Sequence, residues 1–275
     1  MKNQRAGGRT KSNYAATILL LLLIASFPLS VYAYYLGPTS VFDGFEAAAS
    51  LFFWFSLISL AFLFPLRSVV RQFLGYAKTV RGALIFAVYL SVHLFLYGLI
   101  LEGILIYFYK VPEIIYQGSV SFTAILAYPE SLVSILEDFA FNPSLNISIP
   151  PAYNLALSLY SIGIALVIAV LVVANVMKVA EMSKACTLAQ RSRAIVALPA
   201  LGVISGAACC ISLPFLISLA VPTAAVLSNS IGAYYAAYLG FPLATAIALK
   251  YNMDSTMRIA SKLGVPVAGL ESKHS

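Results

Sequence analysis

The chain has 275 residues, is 61% hydrophobic and only 10% charged, and carries a formal net charge of +7. Soluble domains run near half apolar and about a quarter charged, so this composition excludes an ordinary water-soluble domain and points to lipid as the solvent. The basic excess would suit a nucleic-acid partner in a soluble protein; here its placement describes membrane topology instead, and no nucleic-acid partner is expected.

Six stretches are apolar over the roughly 20 residues needed to cross a bilayer core. They lie at 14–36, 47–66, 82–108, 153–177, 195–219 and 223–249. Lys2, Arg5, Arg9 and Lys11 precede the first, and Arg67, Arg71, Lys78 and Arg81 follow the second. Lys178, Lys184, Arg191 and Arg193 follow the fourth, and Lys250, Arg258, Lys262 and Lys273 follow the last. These four groups hold sixteen of the 17 Lys and Arg, all on one side of a six-span path, with only Lys110 opposite. Asp43, Glu46, Glu113, Glu130, Glu137 and Asp138 fall on the other side. The positive-inside rule then predicts an all-α, polytopic bundle of six transmembrane helices, a single membrane domain over 1–275 with both termini cytoplasmic. The expected location is the plasma membrane.

The first span also resembles a secretory signal, with a basic start, an apolar run and the small-residue ending Val31 to Ala33. Retention is the favoured reading, because apolar and aromatic residues continue through Tyr34, Tyr35 and Leu36. Spans one and two form a hairpin over "GPTSVFDGFE", whose Gly and Pro mark a turn.

The third span carries His93, with Tyr89 and Tyr97 four residues to either side, and Glu102 near its outer end. Ionisable groups at bilayer depth are costly and mark candidate paths for protons, ions or solutes. A neutral histidine bonded across a helix interface is the structural alternative.

An outer loop at 111–150 follows. Within it "YPESLVSILEDFAF" places Leu132, Val133, Ile135, Leu136 and Phe139 on one helical face, which predicts an amphipathic helix on the membrane surface. Asn146, Ile147 and Ser148 match the acceptor pattern for N-glycosylation. Cys186, in the basic segment after the fourth span, is read as a loop residue without a role.

In the fifth span Gly202, Gly206, Cys210 and Pro214 recur at every fourth position, a stripe of small groups that lets helices approach closely. Pro214 frees the carbonyl of Cys210 from its helical hydrogen bond, beside the thiols of Cys209 and Cys210. Thiolates are natural ligands for soft metals, so a soft-metal site at Cys209 and Cys210 stands beside plain packing by small residues, and the sequence requires no cofactor. The adjacent cysteines ahead of a proline, over Ser205 to Phe215, are locally similar to the pair in mercuric transport proteins. Those proteins have fewer spans and a different spacing to the proline.

The sixth span adds Asn229, Tyr234 and neighbouring hydroxyls, with Gly240 and Pro242 suggesting a bend. A cytoplasmic tail at 250–275 closes the chain. No H-E-x-x-H, Walker A or G-x-S-x-G motif is present.

Three functions follow. The first is a small transporter or permease-like protein whose polar path runs near His93, Glu102, Asn229 and Tyr234. The second is a non-catalytic subunit of a larger membrane assembly, for example a respiratory complex, docked through Gly202, Gly206 and Pro214. The third is an intramembrane thiol enzyme. The bilayer itself is the expected partner, with a homo-oligomer or a membrane-complex partner allowed.

Overall fold

A computed structural model of the protein describes residues 3–36, 40–96, 118–123, 139, 143–149, 153–189 and 231–262. The described chain is mostly helical and divides into two compact units, Met1–Pro65 with Val92–Gly163 and Leu66–Ser91 with Ile164–Ser275.

The first unit is built on a helical hairpin of α1 (Asn3–Leu36) and α2 (Ser40–Leu63). Its antiparallel register is visible in the contacts. Tyr32 stacks edge-on with Phe45 and Phe27 with Phe53, each at 5.7 Å, so positions earlier in α1 meet positions later in α2. Ala33 and Ala49 are fully buried, and their small side chains let the helices close. Outward-facing Ile18, Leu21, Ile24 and Phe55 are more than half exposed, the reverse of a soluble helix pair and the arrangement lipid requires. Pro28 sits inside α1, where its missing N–H leaves the Ile24 carbonyl without a helical partner.

The same unit holds a three-stranded antiparallel sheet of β1 (Ser119–Thr123), β2 (Ser144–Ile149) and β3 (Tyr153–Ser158), with β2 central. β3 runs without a break into α5 (Leu159–Ala189). Ser158 and Ser161 cap that helix start reciprocally: the Ser161 N–H donates to Ser158 Oγ at 3.1 Å and the Ser158 N–H to Ser161 Oγ at 2.9 Å. This is a capping box with serine in both places. One turn on, Gly163 lies so close to Ile58 that any Cβ would overlap its side chain.

The second unit combines α3 (Arg67–Ala77), α4 (Val80–Ser91), α5 from Ile164 onward, and α6 (Ile231–Lys262). α3 buries Val69, Gln72 and Tyr76 at helical spacing and leaves Arg67 and Arg71 exposed. Thr79 ends it and starts α4: its N–H and hydroxyl both donate to the Tyr76 carbonyl, at 2.9 and 2.7 Å, while Gly82 N–H donates to Thr79 Oγ1 at 3.1 Å. A Cβ on Gly82 would collide with the Tyr76 carbonyl, so the corner needs glycine there. α4 passes into a π-helical turn at Val92–Leu96, and the two helical segments Arg67–Ala77 and Val80–Phe95 meet at 114°. α5 buries nearly every residue from Ala165 to Asn175.

Among the described residues three helical segments are long and apolar enough to cross a membrane, Tyr14–Ala33, Gly44–Leu63 and Leu159–Met182, or four if the bent pair is one span. The first two coincide with expectation. The fourth expected span, 153–177, instead opens as a strand, because "YNLALS" alternates apolar with polar or small residues at period two before the aliphatic run begins. Part of the outer loop is sheet rather than irregular chain. The expected surface helix at 128–141 lies outside the described residues except for Phe139, and so do the fifth span and the start of the sixth. Pro242 falls inside α6, which continues to Lys262, into the segment expected as a tail.

Candidate functional site: buried polar side chains among apolar helices

In the second unit, polar side chains collect where α3, α5 and α6 meet. Asn175, wholly buried on α5, donates from Nδ2 to the Leu171 carbonyl of its own helix at 2.7 Å and to the Leu249 carbonyl of α6 at 3.2 Å. Its Oδ1 accepts from Asn252 Nδ2 at 2.9 Å. One turn further along α5, Lys178 is 0% exposed and its Nζ pairs with Glu181 Oε2 at 3.0 Å, while Glu181 keeps 34% of its side-chain surface. The pair therefore runs from the interior to the edge of the unit. On α3, Gln72 Nε2 donates to Met257 Sδ of α6.

Several polar atoms in this seam have no hydrogen-bond partner among the described residues: Gln72 Oε1, the Tyr76 hydroxyl and Thr256 Oγ1. Burial, and then the nearby Glu181 carboxylate, push the Tyr76 hydroxyl above the ordinary phenol range. Buried polar atoms are normally paired, and a buried ammonium more so. A seam holding one buried ammonium, three carboxamides and unpaired hydroxyls has donors and acceptors to offer a small polar solute or water.

In the first unit a second polar line follows the α1–α2 contact. Ser26, Ser30, Glu46, Ser50 and Ser56 are all buried. Ser30 Oγ lies 2.8 Å from Glu46 Oε1 and 2.6 Å from Oε2. Ser26 Oγ returns to the Leu23 carbonyl at 2.7 Å, and Ser56 Oγ has no hydrogen-bond partner among the described residues. At the edge of this line Trp54 Nε1 donates to the Phe139 carbonyl, and the Phe139 ring packs 5.2 Å from Phe53.

Of the residues singled out from sequence, His93 lies in the π-turn and is half-buried. Asn146 stands on the central strand, with Nδ2 donating to Thr123 Oγ1 at 2.8 Å and to Ser144 Oγ at 3.3 Å. Tyr234 belongs to α6. Glu102, Gly202, Gly206, Cys209, Cys210, Pro214 and Asn229 lie outside the described residues. Among the described residues no group of three or more His, Cys, Asp or Glu is placed to hold a metal ion.

Sequence reasoning missed Lys178, which it set in the basic cytoplasmic group, and Glu46, which it set in the outer loop; both are buried. The signal was present. Asn175 and Lys178 share a helical face with Met182, so an unbroken helix past residue 177 turns the lysine inward with them. No family model, curated protein or solved structure matches the chain.

Proposed function

We propose that the chain is a small transporter or permease-like membrane protein that passes a polar solute along the seam between α3, α5 and α6. The observation that carries this reading is Lys178, an ammonium with no exposed surface, one turn from buried Asn175 on α5 and paired with Glu181, in a unit that also buries the Tyr76 and Thr256 hydroxyls. Buried charge in a membrane helix is expensive, and its usual use is a path for ions or solutes. The sequence adds His93, Glu102, Asn229 and Tyr234 as candidate path residues, and its charge pattern supports basic segments facing the cytoplasm across the plasma membrane. Cys209 and Cys210 enter it as packing residues or as ligands for a soft metal.

Purified protein reconstituted in liposomes tests this with radiolabelled amino acids, organic acids, sugars and inorganic ions. Uptake of at least one class above protein-free vesicles is expected, together with its loss in a correctly folded Lys178→Met variant. Retention of uptake in that variant removes the seam from the mechanism. Absence of uptake for every class, with a stoichiometric partner copurifying, would replace the transporter with a subunit of a larger assembly.

A further inference from the structure

The strand register sorts the sheet into two chemically distinct faces. Paired residues of an antiparallel sheet point to the same side. Val120 pairs with Ile147 and Phe122 with Leu145, and on the other flank Ile147 pairs with Leu155, Leu145 with Leu157 and Ile149 with Tyr153. One face is therefore apolar at Val120, Phe122, Leu145, Ile147, Ile149, Leu155 and Leu157. The other carries Ser119, Ser121, Thr123, Ser144, Asn146, Ser148 and Ser158. None of the three strands contains a charged residue.

The apolar face is open at β1 and at parts of β2, where Val120 is 70% exposed, Phe122 67%, Ile149 47% and Leu145 39%, while Leu155 on β3 is buried. Uncharged apolar surface of this kind on a soluble domain would mark a binding or aggregation site. Here the position of the sheet names its occupant. β3 ends at Ser158 and the membrane-spanning segment begins at Leu159, with no residue between them. A six-residue strand is only ~20 Å long, so β3 holds the sheet within about that distance of the interface that α5 enters.

We propose that the open apolar side of β1 and β2 rests on the lipid of the bilayer surface next to the start of α5, while Ser119 and Ser121 on the opposite side meet headgroups and water. The sheet is then the β counterpart of an interfacial amphipathic helix, held by side chains that alternate at period two. Its uncharged polar face fits this position, since the Asn146 amide is already occupied by Thr123 and Ser144.

Trp54 is the single tryptophan, so a second one reports locally against the wild-type signal. Phe122→Trp and Ser121→Trp would be reconstituted separately in phosphatidylcholine vesicles with brominated acyl chains, and each titrated with aqueous iodide. The expected result is strong bromolipid quenching and weak iodide quenching at position 122, with the opposite order at 121. Equal iodide access at the two positions overturns the proposal, and so does protection of position 122 from both quenchers, which would mean that protein covers the face. If Phe122→Trp does not fold, a nitroxide at Val120, with Cys186, Cys209 and Cys210 changed to serine, decides by the same logic. Greater access to oxygen than to a nickel chelate supports lipid contact, and the reverse overturns it.

Discussion

Tyr76 concentrates the physical chemistry of the seam in one side chain. Its hydroxyl is buried without a hydrogen-bond partner among the described residues, and both burial and the Glu181 charge oppose its ionisation. The raised folded value means that the folded protein keeps the proton after an unfolded chain has released it. Stability from this group is therefore complete below the ordinary tyrosine value of about 10 and is lost as pH rises above it. Tyr76→Phe removes both the unpaired hydroxyl and this alkaline loss. In detergent at neutral pH the variant is expected to melt within about 1 kcal/mol of wild type or slightly above it, and above pH ~10 it should be the more stable of the two. A variant that loses stability with pH as steeply as wild type would show that Tyr76 does not titrate this way. Lys178 differs in kind, because Glu181 joins it to the edge of the unit, and a buried charge left without its partner is costly.

At the scale of elements, the corner between α3 and α4 depends on two side-chain choices. Thr79 caps α4 and also bonds to the end of α3, while Gly82 leaves room for the Tyr76 carbonyl. Thr79→Ala should cost about 1 kcal/mol, the usual loss of an N-cap. Gly82→Val should cost more, about 1–3 kcal/mol, because a backbone atom must move rather than a flexible side chain. Thermal unfolding of the two variants checks the order, and a harmless Gly82→Val would disprove the close approach. The helices themselves were legible in the sequence, since long aliphatic runs such as "ATILLLLLIA" leave the backbone no partner in lipid except itself. The sheet is legible too, in its alternation. "SVSFT", "SLNISI" and "YNLALS" alternate at period two, but a count of apolar residues merges the last of them with the aliphatic run of α5. The serine capping box at Ser158 and Ser161 was the local mark of that boundary. What no local pattern could supply was the meeting of Asn175 with Asn252, or of Ser30 with Glu46, because each depends on how two helices pair.

For the whole molecule, the composition reading and the apolar helices agree on an integral membrane protein, with three or four candidate spans among the described residues. The structure sets polar seams beside those apolar helices, and the functional account rests on the one joining α3, α5 and α6. If that seam is a passage, water must reach it in at least one state; if it is packing, it stays dry. The direct measurement places single cysteines at Thr245, Asn252 and Thr256, buried or half-buried on α6, and at the exposed Leu243 and Ile247, all in a background without Cys186, Cys209 and Cys210. A membrane-impermeant methanethiosulfonate is then applied to both sides of proteoliposomes. The account predicts reaction at the seam positions and little at Leu243 and Ile247, which should face lipid. Seam positions that never react from either side, in protein that is otherwise folded, would contradict it and make the buried lysine and asparagines a structural core.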